Sequence, residues 1–419
     1  MKITKKILLT IVAVVFAAAT FIGGYFLGVY NTSKGAGKIT WVLDYFKDNY
    51  LFGDYDADQD TYDTFAKMIA GALGDEYSEY YTKEEYAQLL ASNQGSKSGT
   101  GLTFLITTPP NGHPLDIFRV IGNSPAEQAG VTAGGRVVNV NGVVVETQND
   151  FAIAMSLIPT GQPFEMTVKY NGNNETFTLS KENYTANLVT VKDSSGAYRF
   201  NGEKGDEWVR YSDGDSNLGN AIYIAFSNFQ GDNTYKNIKT ALEYGKAQNR
   251  DTVVIDLRGN GGGYVDLMGD IAKLFIDEKN PTMAIAQYKN GDEYNFKSNS
   301  TDYFEFERVF VIADQNSASA SESLIGALMD YGVINYSRLI VQNEVAINGL
   351  CHTFGKGIMQ TTYVNPYNKD ALKITTAYIV WPKTKTVIHG NGVYATAENS
   401  TTTNTQTMQR LYALLGENA

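Results

Sequence analysis

Apolar and polar residues follow different periods in successive parts of the chain, and each period predicts a different kind of structure. Residues 7–30 carry no charge, and residues 36–92 place apolar side chains three and four positions apart, which predicts helices. Residues 98–181 read as short strands separated by turns, with one helix over residues 148–158. Beyond residue 220, apolar strands alternate with helical segments. This order predicts an uncharged leader, a helical segment, a small β-rich module and an α/β core.

The clearest strand predictions lie in the core. The runs TVVIDL, at residues 252–257, and VFVIA, at residues 309–313, are almost continuously apolar, as expected of strands covered on both faces. Segments with a helical period stand between such strands, which indicates crossover helices. A polar linker and a short helix follow at residues 400–419.

The uncharged run near the N-terminus predicts a membrane anchor. Lys2, Lys5 and Lys6 precede residues 7–30, and these 24 residues would rise about 36 Å as a helix, enough to cross a bilayer. Lysines on this side leave the N-terminus in the cytoplasm and the body of the protein outside it. A cleaved signal peptide is the alternative, because small residues follow a shorter apolar run at FAAAT.

Charge and composition exclude several classes of function. The chain has 34 basic and 45 acidic residues, and its net charge of −11 provides no basic footprint for nucleic acid. A single cysteine, Cys351, rules out an internal disulfide framework, and three scattered histidines lack metal-binding spacing. We therefore expect no cofactor, no metal and no nucleic-acid partner.

A glycine-rich turn follows the strand predicted at residues 252–257. Gly259, Gly261, Gly262 and Gly263 could let backbone N–H groups converge on an anion. The turn has neither a P-loop nor a GxGxxG pattern, and a tight strand-to-helix connection explains the glycines equally well.

Three serines on alternate positions, Ser317, Ser319 and Ser321, run into a predicted helix. A serine at a helix N-terminus lies beside free N–H groups that could hold an oxyanion, which favours a nucleophile here. Ser319 and Glu322 also fit a Ser-x-x-Glu capping box, which requires no catalysis. Spacing alone does not choose among the three serines.

Lys356 stands between two glycines inside an apolar and β-branched segment. Burial there would disfavour its charged form and make it a usable general base, although most such lysines are solvent-facing turn residues. Gln360 follows four residues later, near Lys356 in a helical turn but about 13 Å away in a flat strand. Cooperation between the two side chains therefore requires a bend, which Gly357 could permit.

The order of these segments resembles that of the carboxyl-terminal processing peptidases, also called tail-specific proteases. VVIDLRGNGGG, NSASASE with GALMDYG, and TFGKGIMQ match the family's three protease motifs in sequence order. GTGLTF and SPAEQAGVTAGGRVVNVNGVVV resemble the carboxylate loop and the body of a PDZ domain. The resemblance covers nearly everything after the predicted anchor.

The resemblance implies a serine endopeptidase that uses a Ser-Lys pair. Ser319 would be the nucleophile, Lys356 the base and Gln360 the partner that orients the lysine. Backbone N–H groups of Gly262 and Ala320 would form the oxyanion hole. The reaction would be acyl transfer through an acyl-enzyme that water then clears, with no cofactor.

The resemblance also implies how substrates are recognised. Backbone N–H groups of the PDZ loop would hold a free C-terminal carboxylate while the substrate tail adds as an edge strand; these residues are Gly101, Leu102, Thr103 and Phe104. The side chains of Leu102 and Phe104 would line a pocket for an apolar last residue. The expected partners are proteins or peptides with free apolar C-termini, and the membrane through the N-terminal helix.

The fold class implied is a crotonase-like α/β protease core with a β-rich PDZ domain and an N-terminal helical segment behind a transmembrane anchor. The expected boundaries are 1–30 for the anchor, 31–95 for the helical segment, 96–182 for the PDZ domain, 183–399 for the peptidase core and 400–419 for the tail helix. The N-terminal helices and the tail could each support a homodimer.

The chain also departs from the family pattern. Gly134-Gly135 stands where Gly-Asp is usual, Asn260-Gly261 stands where Asn-Pro is usual, and the segment that includes residues 333–352, with Cys351 and His352, is longer than usual. Asp330 matches a family acid but lies eleven residues past Ser319, about 16 Å along a helix, and is interpreted as structural. Two alternative functions are an inactive PDZ-containing binding protein and a crotonase-like enzyme with a coenzyme A pocket.

Overall fold

The computed structural model describes residues 41–42, 59–94, 96–104, 112–201 and 207–417. The predicted anchor, residues 1–30, lies outside the described residues. Within the described part of the chain, no helix is both long enough and apolar enough to cross a membrane. The chain divides into two compact units, residues 1–80 and residues 81–419.

Helices occur on both sides of the division between the units. Helix α1 (Gln59–Gly71) belongs to the first unit. The short strand β1 (Glu79–Tyr81) includes the last two residues of the first unit and the first residue of the second. Helix α2 (Lys83–Asn93) begins the second unit. The Thr82 hydroxyl accepts from Glu85 N at 3.3 Å, and Glu85 Oε2 accepts from Thr82 N at 2.9 Å. This capping box explains why α2 begins at this point.

A small β-rich module occupies the described part of residues 96–185, as the short apolar runs predict. Its helices are α3 (Pro125–Gln128) and α4 (Gln148–Ser156), and its strands are β2 (Ser96–Gly99), β3 (Leu102–Phe104), β4 (Ile117–Val120), β5 (Arg136–Val140), β6 (Val143–Val144), β7 (Pro163–Tyr170), β8 (Asn173–Ser180) and β9 (Glu182–Thr185). The strands pair antiparallel as β2–β9, β3–β4 and β6–β5–β7–β8. Its centre is formed by fully buried side chains, among them Leu115, Val137, Met166 and Val168.

Tyr170 fills the turn at which the module departs from the family pattern. A side chain at Gly135 would begin 2.4 Å from a ring carbon of Tyr170 and 2.5 Å from Val168 Cγ1. The Tyr170 hydroxyl accepts from Thr132 N and donates to Thr132 O, each at 2.9 Å. The turn is therefore built around a tyrosine that leaves no room for an aspartate at this position.

The α/β core follows the module. Its strands are β10 (Val189–Lys192), β11 (Gly196–Asn201), β12 (Glu207–Asp213), β13 (Ala221–Phe226), β14 (Thr252–Asp256), β15 (Thr282–Tyr288), β16 (Glu293–Lys297), β17 (Arg308–Asp314), β18 (Leu339–Gln342), β19 (Ile358–Val364), β20 (Ala371–Val380) and β21 (Ser400–Thr401). Its α-helices are α5 (Thr234–Ala247), α6 (Val265–Lys273), α7 (Ala320–Asp330) and α8 (Asn404–Gly416), and short 3₁₀ helices lie at Ser216–Leu218, Tyr336–Arg338 and Ala397–Asn399.

The main sheet of the core has eight strands in the order β12-β11-β10-β13-β14-β17-β18-β21. The strands from β13 to β21 pair in parallel, whereas β10, β11 and β12 pair antiparallel at one edge. Helix α5 connects β13 to β14, and α7 connects β17 to β18. These crossovers confirm the predicted α/β core, while the antiparallel edge shows that the sheet is mixed.

Both faces of the main sheet are covered, as the apolar strands predict. On one face, Val253 and Ile255 of β14 pack in the large core formed with α5, α6 and α7. On the other face, Val254 packs in a second cluster with Leu411 and Leu414 of α8. All five residues of β14 are buried, which is why its sequence is apolar at nearly every position.

A second sheet completes the core and includes the strand that follows the lysine motif. Strand β15 pairs antiparallel with β16 and β20, and β20 also pairs antiparallel with β19. The segment that includes residues 333–352, which is longer than usual for the family, lies partly in the protein interior. Its residues Leu339–Gln342 form β18, which is almost wholly buried within the main sheet.

Asp193 stabilises the turn between β10 and β11, and we expect its removal to be costly. The fully buried carboxylate accepts from Ser195 N at 2.7 Å, Gly196 N at 2.9 Å and Arg250 Nη2 at 2.8 Å. Because Asp193→Ala would leave a poorly exposed guanidinium without this partner, it should lower the free energy of unfolding by about 3–5 kcal/mol at pH 7. Asp213→Ala, which removes a fully exposed carboxylate, is the control, with an expected change within about 0.5 kcal/mol.

The pH dependence of this effect follows from the pKa of Asp193. Burial alone would raise that pKa, but hydrogen bonds from Ser195, Gly196 and Arg250 hold it below the ordinary value of 3.8. The carboxylate therefore stabilises the fold above pH 3.8, and this stability is lost as the pH falls through the lower folded-state pKa. Urea unfolding should show a gap between wild type and Asp193→Ala that narrows toward low pH. A gap independent of pH would contradict the assignment.

Candidate active site

Burial distinguishes the three serines that spacing could not separate. Ser317 is fully buried, and its hydroxyl donates to Leu257 O at 2.8 Å and accepts from Asp314 N at 2.9 Å. Ser321 is also fully buried, and its hydroxyl donates to Asn260 O at 2.8 Å. Ser319 is only half-buried. Of the three side chains, Ser319 is therefore the one that a substrate could reach.

Ser319 has an unusual backbone conformation at the start of α7. Its φ is 57° and its ψ is −113°, in a region that side-chain-bearing residues rarely adopt. Such a conformation costs about 1–3 kcal/mol and persists only where the surroundings enforce it. The Ser319 N–H donates to Glu322 Oε2 at 2.9 Å, and Ser323 N donates to Ser319 O at 2.9 Å. The carboxylate half of the predicted capping box thus holds the serine at the tip of the strand-to-helix turn.

The two neighbouring serines should affect stability but not reactivity. Ser317→Ala and Ser321→Ala each remove a buried hydroxyl that donates to a carbonyl, and each carbonyl keeps a second donor, a backbone N–H, so each variant should lower the free energy of unfolding by about 0.5–1.5 kcal/mol. The folded fraction of either variant should still react with a fluorophosphonate, which modifies nucleophilic serines. Thermal unfolding and intact-mass spectrometry would check both expectations. Loss of labelling in a folded Ser317→Ala or Ser321→Ala protein would point to a different nucleophile.

The glycine-rich turn lies directly against Ser319. A methyl group at Gly262 would lie 2.8 Å from Ser319 Cβ and 3.0 Å from Ala320 N. Gly262 has a φ of 103°, which favours glycine, and its N–H donates to Asn260 Oδ1 at 3.0 Å. Ala320 is the first residue of α7, where backbone N–H groups lack partners within the helix. Both predicted oxyanion residues are thus adjacent to Ser319, but the Gly262 N–H already has a partner.

Lys356 lies in an irregular segment before β19. Gly355 and Gly357, on either side of it, are buried, and a side chain at Gly357 would begin 2.7 Å from His389 N. The backbone on both sides of the half-buried Lys356 therefore packs too closely against neighbouring segments to allow side chains at residues 355 and 357. Its N–H donates to Glu322 Oε2 at 2.9 Å, so Glu322 contacts the backbone of both Lys356 and Ser319.

Gln360 lies on β19, beyond a change in strand register. The pairing of β19 with β20 is irregular between Met359 and Gln360, and Lys356 precedes the first residue of the strand. The segment from Lys356 to Gln360 is therefore not a flat strand. Gln360 Nε2 donates to Thr375 Oγ1 at 3.0 Å.

Asp314 has a role that the motifs did not identify, whereas the contact of Asp330 agrees with its predicted role. The buried Asp314, at the end of β17, accepts from Gly259 N at 2.9 Å through its carboxylate and donates from its own N–H to Ser317 Oγ at 2.9 Å. It therefore ties the glycine-rich turn to the serine turn, and burial raises its pKa. Asp330 Oδ2 accepts from Lys383 N at 2.8 Å, which agrees with a structural role. A charged residue ending a buried strand is the sequence signal that could have drawn attention to Asp314.

The residues of the predicted carboxylate loop lead into an edge of the small module. Leu102, Thr103 and Phe104 form β3, which pairs with β4 and has no other strand partner among the described residues. The Phe104 ring meets the ring of Phe151 on α4 edge-on, with centroids 5.1 Å apart. Gly101 has a φ of 86°, and a side chain there would collide with the side chain of Ser124. Strand β3 therefore lies beside α4 with one edge free of strand pairing.

Among the described residues, no group of three or more His, Cys, Asp or Glu side chains could hold a metal ion.

The chain is similar in sequence and in fold to known proteases. Residues 220–398 match the model of peptidase family S41. A carboxyl-terminal-processing protease of Synechocystis sp. is 27% identical over 327 residues, which cover 77% of this chain and 67% of that protein. A probable CtpA-like serine protease of Staphylococcus saprophyticus is 26% identical over 77% of this chain and 57% of its own length. Photosystem II D1 C-terminal processing protease has a similar fold, with a TM-score of 0.52 and 23% identity over 89% of this chain and 90% of that one.

The chain is therefore similar to carboxyl-terminal-processing and CtpA-like serine proteases, and its α/β core matches a peptidase family. Residues 220–398 thus match peptidase family S41, in agreement with the resemblance of the motifs to those of the carboxyl-terminal processing peptidases. The chain covers between 51% and 67% of the length of the first four relatives, so it spans roughly half to two thirds of them.

Proposed function

We propose that this protein is an endopeptidase that cuts proteins near exposed apolar C-termini through a Ser319–Lys356 pair. The observation that carries the proposal is that Glu322 Oε2 accepts from the backbone N–H groups of both Ser319 and Lys356, each at 2.9 Å. The two nitrogens can be no farther apart than the sum of these distances. Ser319 is also the accessible member of its serine run.

The proposed chemistry begins with proton transfer from Ser319 to Lys356. Neutral Lys356 Nζ takes the proton of Ser319 Oγ as Oγ bonds to the substrate carbonyl carbon, which gives a tetrahedral oxyanion. The lysine then passes that proton to the leaving amine as the peptide bond breaks. Water attacks the resulting ester, again with Lys356 as base, and releases the acid and the free serine. Gln360 would help to orient the lysine.

The proposed oxyanion hole consists of the Ala320 and Gly262 N–H groups. Ala320 is suited to this role because it begins α7, where the helix dipole also favours negative charge. The Gly262 N–H can join it only by exchanging Asn260 Oδ1 for the oxyanion. Substrate binding is the event that would supply the competing acceptor.

Substrate selection is proposed to occur in the small module, acting as a PDZ domain. The free edge of β3 would accept the substrate tail as an added strand, and the backbone at Gly101 and Leu102 would hold its carboxylate. The Leu102 and Phe104 side chains pack on the apolar centre of the module, which suits an apolar last residue. Residues 1–30 are proposed to anchor the protein in a membrane, with the body outside the cytoplasm; a cleaved signal peptide is the alternative.

A peptide experiment tests both the chemistry and the recognition. The purified protein is incubated with a peptide that has an apolar, free C-terminus and with the same peptide amidated, and products are read by mass spectrometry. We expect cleavage of the free peptide, weaker cleavage of the amidated one, and a fluorophosphonate adduct on Ser319. An adduct on another residue would reject Ser319 as the nucleophile. Carboxylate-dependent binding with neither cleavage nor adduct would favour the binding-protein alternative.

A further inference from the structure

We propose that Glu322 is a positioning residue whose single oxygen atom Oε2 sets the separation of the nucleophile and the base. This inference rests on the proposed function, because it assigns Ser319 and Lys356 to those roles. It goes beyond helix capping, which would need only the bond to Ser319 N. The second bond, to Lys356 N, connects α7 to a segment that is distant in sequence.

The two carboxylate oxygens of Glu322 have different partners. Oε2 accepts from Ser319 N and Lys356 N, each at 2.9 Å. Oε1 accepts from Gly355 N at 2.7 Å and from the Thr353 hydroxyl, which itself accepts from Val393 N. Oε1 therefore fixes the path of the lysine segment, whereas Oε2 joins that segment to the serine.

The surroundings make this arrangement rigid. Glu322 is fully buried on α7, and burial raises its pKa although its four donors act in the opposite direction. The Ser319 backbone is in a rarely adopted conformation, which only its surroundings maintain. A carboxylate that binds the backbones of Ser319 and Lys356 together restricts their relative motion. This lowers the entropy cost of bringing the two side chains into position for proton transfer.

Two substitutions separate the geometry of Glu322 from its charge. In Glu322→Gln the amide oxygen can take the place of Oε2, which turns the amide nitrogen toward the Thr353 hydroxyl and Gly355 N. The hydroxyl can accept from this nitrogen, but the Gly355 N–H loses its acceptor, so the variant should be less stable. The opposite orientation would cost two N–H acceptors, those of Ser319 and Lys356, and is therefore disfavoured. In Glu322→Asp the charge remains, but the carboxylate is withdrawn by about 1.5 Å and cannot keep both Oε2 bonds. The geometric role predicts that Gln is the better replacement, and an electrostatic role predicts Asp.

The test compares kcat and KM of the full chain on the apolar-tailed peptide, at a temperature well below all unfolding midpoints. We expect Glu322→Asp to lower kcat about 100-fold and Glu322→Gln to lower it less than about 5-fold, with KM of both within about 3-fold of wild type. Tyr331→Phe is the control: it removes the hydrogen bond from the Tyr331 hydroxyl to Thr282 O at the other end of α7, should lower the unfolding temperature, and should leave kcat within about 2-fold.

Several outcomes would overturn the proposal. These are an Asp variant as active as the Gln variant, losses that fall in KM, or activities that simply follow the unfolding midpoints. If Glu322→Asp does not fold, amide hydrogen exchange of the wild type provides the test. The Ser319 and Lys356 amides should both be strongly protected by their bonds to Glu322 Oε2. Rapid exchange of either amide would reject the positioning role of Glu322. A wild type without cleavage or serine labelling would reject the proposed function. The exchange measurement would still test separately whether Glu322 holds the Ser319 and Lys356 amides.

Discussion

Lys356→Ala is expected to lower kcat by at least about 10³-fold and to leave KM within about 3-fold, because the lysine acts on the reacting proton and not on substrate binding. Ser319→Ala should have an effect of similar size. The double variant should be no worse than either single one, since two residues that act as a unit lose their function together. Lys356→Arg should also be inactive, because a guanidinium keeps its proton at any working pH.

Steady-state kinetics on the free-tailed peptide and fluorophosphonate labelling provide the measurements. Labelling of Ser319 should be lost in Lys356→Ala and Lys356→Arg if the lysine activates the hydroxyl. Lys369→Ala is the control, since Lys369 is exposed on the turn between β19 and β20 and should not affect the rate. A folded Lys356→Ala protein with wild-type kcat and labelling would rule out the Ser-Lys mechanism and require another base.

The architecture of the core could be predicted because local and tertiary requirements agree there. The run at residues 252–257 is apolar at nearly every position since one side of β14 meets α5 to α7 and the other meets α8. The mixed character of the main sheet was not predicted. Strands β10 and β11 are joined by a tight turn, and nothing in the sequences of β10, β11 and β12 states that these strands extend the edge beside β13.

The site was only partly predictable, since its decisive contacts join residues far apart in sequence. The hydroxyls of Ser317 and Ser321 donate to the carbonyls of Leu257 and Asn260, about 60 residues away, and no local pattern encodes those bonds. Glu322 could be recognised as a cap from its spacing to Ser319, but its bond to Lys356 N depends on how the lysine segment folds back onto α7. Local sequence thus gives the residue types, and tertiary packing assigns their roles.

Gly262→Ala is expected to lower kcat by about 100-fold or more, the loss typical of a displaced oxyanion donor. A methyl group at this position would lie 2.8 Å from both Ala318 O and Ser319 Cβ, and a φ of 103° is unfavourable for alanine. The strain should also lower the free energy of unfolding by about 1–3 kcal/mol. The turn and the serine would have to move apart, so the Ala320 and residue 262 N–H groups could no longer face the same oxygen.

Gly261→Ala is the control that separates this effect from general damage to the turn. A methyl group at Gly261 would meet no atom within 4 Å, and its φ lies outside the left-handed region, so both kcat and stability should stay close to wild type. Peptide cleavage and urea unfolding of the two variants, measured side by side, check the prediction. Equal activity in the two variants would mean that the N–H of Gly262 stays with Asn260 during catalysis, and that the oxyanion relies on Ala320 and another donor. Loss of activity in Gly262→Ala alone is the expected result, and it would show that catalysis depends on the close packing of Gly262 against Ser319.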